Sequence, residues 1–209
     1  DYKPGDDFRL AASHTDWPCY YIKPNPEQTA GGCLKLSVEP YGGMIHNTWL
    51  DRPLSVAGVV TLKTDNVLSP ERRLVNFAHP ILTIPNLAIH MNSKVNSGVE
   101  LNPNKDMLPI CATIEKEFNK DGYFVKKLAE LMESEVEDIL SYDLCLYNTE
   151  LPELVGFNED ILTSPRLDNL TSTYAILCGI TACRRTRGVS AAVLFDNEEV
   201  GSGTKQGAD

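Results

Sequence analysis

The sequence lacks a C-x-x-C pair, a long apolar run and a dense basic cluster, and each absence excludes a class of protein. Its six cysteines are scattered, which argues against a structural zinc knot and a dense disulfide framework. No apolar stretch approaches the roughly 18 residues that cross a bilayer, so no membrane partner is expected. The 29 acidic residues outnumber the 19 basic ones, and a net charge of -10 makes nucleic acid a poor partner.

The composition that remains is typical of a globular protein with one large or two small domains. The 209 residues are 42% hydrophobic and 23% charged, which disfavours disorder. We interpret the cysteines as reduced core thiols and, since no signal-peptide pattern is present, expect a cytoplasmic protein. The chain opens at Asp1 without a methionine and closes after its most motif-like stretch, which indicates a piece of a longer protein.

Short apolar runs near the two ends of the chain predict strands that lead into polar residues. Residues 8–12 are typical of a strand that delivers His14 to its end. Val189–Phe195 is a strand candidate with little charge, so we expect it to be central and buried on both faces. Residues 167–178 place apolar side chains on one helical face, with Asp168 or Asn169 at the N-terminal end of that helix.

The middle of the chain has a different pattern. Residues 32–38 and 56–62 predict strands, whereas residues 63–110 are rich in Pro and Asn and have no sustained period. Apolar positions at helical spacing predict a helix over residues 126–140. Strand, helix and strand at the ends, with an irregular insert between them, predict an α/β domain interrupted by a second domain.

The polar residues beside the terminal elements are of the types that bind divalent metals. Imidazole and carboxylate ligands need rigid backbone, which the ends of buried strands provide. His14 alone also fits a surface histidine, and Asp168 alone fits a helix cap, but Asp16 could fix the tautomer of a ligating imidazole. Glu198 and Glu199 would point to opposite sides on extended backbone, one towards a metal and one towards a substrate, although adjacent Glu residues are more often surface charge.

Six short blocks occur in one order over nearly the whole chain. They are ASHTD at 12–16, YGG at 41–43, TWLDRPL at 48–54, IPNLAIH at 84–90, SPRLDN at 164–169 and FDNEEVGS at 195–202. Together they resemble the aspartyl aminopeptidase family of dinuclear zinc exopeptidases, in its bacterial form. Any one block alone is weak, and the order of all six carries the resemblance.

The resemblance implies two divalent metal ions per site, expected to be zinc, and a role for five residues. His14 would bind one zinc, Asp168 would bridge both, and Glu199 would bind the other. Glu198 would be the general base that deprotonates the bridging water, and Asp16 would orient His14. Two further ligands of the family, a later Asp and a near-terminal His, would follow Asp209 in the longer protein.

A sixth residue, His90, matches the family histidine that projects from the inserted domain into a neighbouring subunit's active site. There it would contact the substrate and stabilise the tetrahedral intermediate. From the residues alone, His90 also fits a satisfied histidine in a Pro-bounded apolar strand.

The family fold implied by the resemblance is an α/β zinc-exopeptidase domain with a mixed, largely parallel sheet and flanking helices. An inserted β-rich oligomerisation domain interrupts it, and dimers assemble into a dodecamer. We therefore expect the peptidase domain at residues 1–46 and, incompletely, at 151–209, with the oligomerisation domain at 47–150.

The function implied is release of N-terminal residues, preferably Asp or Glu, from peptides by a zinc-bridged water. One alternative is a related dinuclear aminopeptidase with neutral or basic specificity. Another is a non-catalytic oligomeric scaffold, although a scaffold has no physical need for five intact metal-site groups.

Overall fold

The computed structural model describes residues 5–115, 118–184 and 186–208, and the chain divides into two compact units. The central unit is Cys19–Glu150, and the terminal unit combines Asp1–Pro18 with Leu151–Asp209. The strands are β1 (Phe8–His14), β2 (Cys19–Ala30), β3 (Cys33–Tyr41), β4 (Leu54–Leu62), β5 (Glu71–Asn76), β6 (Ile110–Thr113), β7 (Ile139–Asn148), β8 (Glu153–Val155), β9 (Ile161–Thr163) and β10 (Val189–Phe195). The α-helices are α1 (Tyr123–Met132) and α2 (Leu167–Ala182).

The central unit is built on an antiparallel sheet in the order β5-β4-β7-β2-β3-β6. Its strands bury alternate residues, such as Leu34, Leu36 and Val38 on β3, as the period of a half-buried strand requires. Helix α1 adds Leu128 and Met132 to the same core. Strands β3 and β4 confirm the predictions at 32–38 and 56–62.

The central unit begins at Cys19, whereas the inserted domain is expected from the sequence to begin at residue 47. The reason is strand pairing. Strands β2 and β3 form a hairpin through Gly31-Gly32, where both residues have the positive φ of a two-residue turn, and β2 also pairs with β7. Both strands therefore belong to the sheet of the central unit.

The helix expected over residues 126–140 is shorter than predicted and begins earlier. Helix α1 ends at Met132 because Glu133 takes up a left-handed conformation with φ 52°. The apolar residues beyond it belong to a 3-10 turn and to β7, which starts at Ile139. The prediction was wrong beyond Met132 because the strand continued the helical spacing of apolar residues by coincidence.

The terminal unit contains a parallel pair of strands, β1 and β10, whose register aligns His14 with Phe195. Helix α2 packs against both strands, and β8 and β9 form a small antiparallel pair. The expected strand at Val189–Phe195 is confirmed, but its burial is not. The residues of β10 are partly exposed, and within the described ranges β1 is the strand that pairs with it.

The apolar face expected on the helix near residues 167–178 is also exposed. Tyr174 is 72% exposed and Leu177 is 43% exposed, while the buried residue of α2 is Thr173. Neither helix of the described residues is long and apolar enough to cross a membrane.

Candidate metal centre

The parallel pairing of β1 and β10 brings the ends of both strands to one edge. The Thr15 amide donates a hydrogen bond of 2.9 Å to the Phe195 carbonyl, which continues the ladder by one residue. His14 is the last residue of β1, and the acidic segment after Phe195 starts beside it. This register explains why residues from opposite ends of the chain meet.

A buried hydroxyl network fixes the backbone of His14. The Thr173 hydroxyl donates to the His14 carbonyl at 3.0 Å and lies 3.0 Å from the Ser13 hydroxyl oxygen. Both hydroxyl-bearing residues are buried, so each needs these partners. Sequence reasoning missed Ser13 and Thr173, because Ser13 is followed by polar residues and Thr173 follows Thr171 and Ser172, so the sequence does not single them out.

The two adjacent glutamates lie in a short 3-10 helix, Glu198–Val200, and not on extended backbone. The turn follows Asn197, which is left-handed with φ 63°. The Asp16 carboxylate accepts a hydrogen bond from the Glu198 backbone amide at 3.3 Å and another from the Glu199 backbone amide at 3.1 Å. The expectation that the two side chains face opposite sides is therefore wrong, since the helical turn carries both towards His14.

Asp168 is placed by an irregular start of α2. The residue at the N-cap position is Arg166, without a side-chain cap, and Asp168 lies in the first turn, as expected for the N-terminal end of this helix. Asp168 and Asn169 have non-helical dihedral angles, and the peptide bond between them is cis. Although the Asp168 side chain is 85% exposed, its Oδ1 lies 3.2 Å from His14 Nε2.

The two ring nitrogens of His14 face different groups. Its Nδ1 lies 3.1 Å from the Asp16 carbonyl and 3.3 Å from Asp16 Oδ1. Because a carbonyl can only accept, Nδ1 carries the proton in this hydrogen bond, and in the neutral ring Nε2 is left with its lone pair. Nε2 faces Asp168, and Glu198 Oε2 lies 3.7 Å from it.

The charges of this cluster shift two pKa values. Burial lowers the pKa of His14, but the hydrogen bond to the Asp16 carbonyl and the charges of Glu198, Asp16 and Asp168 outweigh it, so the pKa is raised. Burial raises the pKa of Glu199, and the charge of Glu198 raises it further. The site therefore holds more negative charge than one imidazole balances, which favours a cation.

The donor set fits a divalent metal such as zinc. One ligand atom each from His14, Glu198 and Glu199 lies within 4.8 Å of the others. Imidazole nitrogen and carboxylate oxygen are usual zinc ligands, and the second nitrogen of a ligating histidine usually donates to a carbonyl or carboxylate, as it does here. The chemistry of the residues thus agrees with a metal centre.

His90, the sixth expected site residue, belongs to the central unit and is exposed in a turn. The stretch around it contains no strand, so the alternative of a satisfied histidine in an apolar strand is wrong. All six cysteines are in the thiol form: Cys19 is buried and three others are half-buried, but Cys178 and Cys183 are exposed, so the interpretation as core thiols fails for these two.

The whole chain, residues 1–209, matches the family described as aminopeptidase I zinc metalloprotease (M18). The probable M18 family aminopeptidase 2 of Clostridium novyi is 48% identical over 205 residues, which are 98% of this chain and 47% of that protein. The chain spans about half the length of the curated relatives it matches.

Solved structures of related proteins share the α/β fold. A chain in the cryo-EM structure of the Ape4 and Nbr1 complex has a TM-score of 0.88 and 32% identity, covering 99% of this chain and 43% of that one. A chain of the S. cerevisiae mApe1 dodecamer has a TM-score of 0.77 and 26% identity, covering 96% of this chain and 46% of that one. The sequence match along all 209 residues, together with this fold, shows that the chain belongs to the M18 family of aminopeptidase I zinc metalloproteases.

Proposed function

We propose that the whole protein is a metal-dependent aminopeptidase that removes N-terminal residues, preferably Asp or Glu, from peptides. The observation that carries the proposal is the convergence of His14, Asp168, Glu198 and Glu199 beside the ends of β1 and β10. A cluster at the carboxyl ends of parallel strands is open to a ligand on one side. Membership of the M18 family supports the same reading.

His14, Asp168 and Glu199 would hold two zinc ions, with Asp168 as a ligand common to both. Zinc supplies Lewis acidity, which lowers the pKa of water and polarises a carbonyl oxygen. The free lone pair of His14 Nε2 and the surplus of carboxylates support this assignment. Asp16 orients His14 through Nδ1 and at the same time binds the backbone of the glutamate turn.

Glu198 is assigned to move the proton. It would take a proton from the water that attacks the scissile carbonyl, and would pass that proton to the leaving amine as the C–N bond breaks. Its side chain is 52% exposed, so it can reach a substrate, and its Oε2 lies 3.7 Å from His14 Nε2. A carboxylate in this position can serve first as a base and then as an acid.

The test is Glu198→Gln in the whole protein. A neutral amide cannot accept the proton, so we expect hydrolysis to fall by about 10²–10⁴-fold while zinc content is retained. Glu153→Gln is the matched control, because Glu153 is an exposed glutamate of the same unit. Hydrolysis at the parent rate by Glu198→Gln would show that the role given to Glu198 is wrong.

The preference for acidic residues has its own measurement. Chromogenic aspartyl, glutamyl, leucyl and lysyl substrates should be compared through kcat/KM on the whole protein. The proposal expects the two acidic substrates to be hydrolysed best. Preference for the leucyl or lysyl substrate would instead favour an aminopeptidase of neutral or basic specificity, and no hydrolysis of any of them would favour a scaffold.

We also propose that the protein is a homo-oligomer, up to a dodecamer assembled from dimers, in which His90 contacts substrate in a neighbouring subunit. Its exposure in a turn of the central unit supports this role. Inactive His90→Ala and Glu198→Gln subunits should recover part of the activity when they are assembled together. No recovery in a mixed assembly of confirmed mass would mean that His90 does not act across subunits.

A cytoplasmic location fits these assignments. The six cysteines of the chain are all in the thiol form, as is usual for proteins kept in a reducing compartment.

A further inference from the structure

A cation–π pair joins the segment after β1 to the segment before α2, beside the candidate metal centre. The guanidinium carbon of Arg166 lies 5.6 Å from the centre of the Trp17 ring. Trp17 directly follows Asp16, and Arg166 stands two residues before Asp168. We propose that this pair is a positioning device that holds Asp168 opposite His14. The inference rests on the proposed function, because it takes Asp168 to be a metal ligand.

Asp168 needs such a device because its own surroundings do not hold it. Its side chain is 85% exposed, and its backbone is non-helical, so helix α2 does not fix its direction. Yet its Oδ1 lies 3.2 Å from His14 Nε2. The position of an exposed carboxylate on irregular backbone depends on how the chain is attached on either side of it.

The C-terminal side of Asp168 is attached to β1 by hydroxyl groups. The Ser13 hydroxyl lies 3.4 Å from the Asn169 carbonyl and 3.0 Å from the Thr173 hydroxyl. The cation–π contact between Arg166 and Trp17 supplies the matching attachment on the N-terminal side. Asp168 is therefore bracketed by two attachments to the segment that carries His14.

The backbone of Arg166 gives an independent reason to assign a role to its side chain. Arg166 is left-handed, with φ 63° and ψ 29°, in the region where glycine is most comfortable. An arginine there bears a backbone cost that its side-chain contact can offset. Indole offers the best ring face for a cation, and the planar guanidinium suits a contact with such a face.

The test measures zinc binding by the whole protein, through competition with a chelator, in Trp17→Ala, Arg166→Ala and the double variant. Each single substitution should raise the zinc Kd by about tenfold, as for other groups that orient metal ligands. The double variant should bind zinc no more weakly than either single variant, because all three variants lack the same contact. In the cobalt-loaded protein, the d–d absorption bands should shift, since they report how the ligands are arranged.

Two further variants make the result specific. Trp17→Phe keeps a ring face and should stay within about threefold of the parent Kd. Tyr123→Ala is the matched control in the central unit, where Lys127 Nζ lies 5.9 Å from the centre of the Tyr123 ring, and it should leave the zinc Kd unchanged. Arg166→Ala alters a half-buried side chain, so it keeps the test open if Trp17→Ala does not fold.

Parent zinc affinity with unchanged cobalt spectra in both single variants would overturn the inference. Single effects that multiply in the double variant would also overturn it, because the two side chains would then act separately. Asp168→Asn separates this failure from that of the proposed function. If Asp168→Asn loses zinc while the Trp17 and Arg166 variants keep it, the positioning inference alone is wrong. If Asp168→Asn binds zinc like the parent, the ligand assignment is wrong, and the positioning inference is wrong with it.

Discussion

The two units of the chain bury different kinds of side chain. Among the described residues, every buried apolar side chain belongs to the central unit, from Cys19 to Leu146. The buried residues of the terminal unit are Asp6, Ser13, His14 and Thr173. The central unit is therefore stabilised mainly by removal of apolar surface from water, and the terminal unit holds its site through hydrogen bonds.

The largest expected effect is on the core of the central unit. Leu128 on α1 is fully buried, so Leu128→Ala removes apolar contacts and leaves a cavity. We expect it to lower the free energy of unfolding of this unit by about 3 kcal/mol. Within this chain, Trp49 reports on the central unit and Trp17 on the terminal unit, so each unit can be followed separately.

The measurement for Leu128→Ala is urea unfolding followed by Trp49 fluorescence in a Trp17→Phe background. Zinc affinity should remain that of the same background, since Leu128 belongs to the other unit from the ligands. A loss below about 1 kcal/mol would contradict the account of the central core.

The next effect concerns the hydroxyl network of the terminal unit. Thr173→Val keeps the shape of the side chain but removes its hydrogen bonds to the His14 carbonyl and the Ser13 hydroxyl. A buried polar group that loses its partner costs about 1–3 kcal/mol, so we expect a loss of about 2 kcal/mol in the unfolding of this unit. Urea unfolding followed by Trp17 fluorescence in a Trp49→Phe background measures this loss.

The control for this network is Thr171→Val on the same helix. The Thr171 hydroxyl also donates to a carbonyl, that of Leu167 at 2.8 Å, but it is exposed and water can replace it. We expect a change of less than about 0.5 kcal/mol. Equal losses at residues 171 and 173 would mean that burial is not what gives the network its strength.

A smaller effect is expected on metal binding through Asp16. Its carboxylate accepts hydrogen bonds from two backbone amides and lies 3.3 Å from His14 Nδ1. An asparagine has only one side-chain oxygen that can accept these hydrogen bonds. Asp16→Asn should weaken zinc binding by about tenfold, or about 1.4 kcal/mol. Chelator competition measures it, with Asp160→Asn as an exposed control in the same unit. Unaltered affinity would remove the orienting role of Asp16.

The sequence predicts the secondary-structure elements better than it predicts the contacts between distant residues. Strands β1 and β10 follow from short apolar runs, and their polar neighbours His14, Asp16 and Glu198 follow from the positions where those runs stop. The family resemblance, which rests on six ordered blocks, is confirmed by the match over the whole chain. These inferences need only local pattern and order along the chain.

The errors arise where a backbone angle or a distant contact decides. Periodicity could not show that Glu133 ends α1, nor that Asn197 turns the chain so that both glutamates face His14. The contact between Thr173 and the His14 carbonyl joins residues at opposite ends of the chain. A single sequence has no pattern that marks such a pair.

The smallest expected effect returns to the two helices. Both were predicted to have an apolar face, yet Leu177 on α2 is 43% exposed while Leu128 on α1 is fully buried. Leu177→Ala should therefore cost about 1 kcal/mol or less, because much of its side chain stays in water in the folded chain. The measurement is urea unfolding followed by Trp17 fluorescence in the Trp49→Phe background. A cost close to that of Leu128→Ala would mean that α2 uses its apolar face as α1 does, and the contrast between a hydrophobic central unit and a hydrogen-bonded terminal unit would no longer hold.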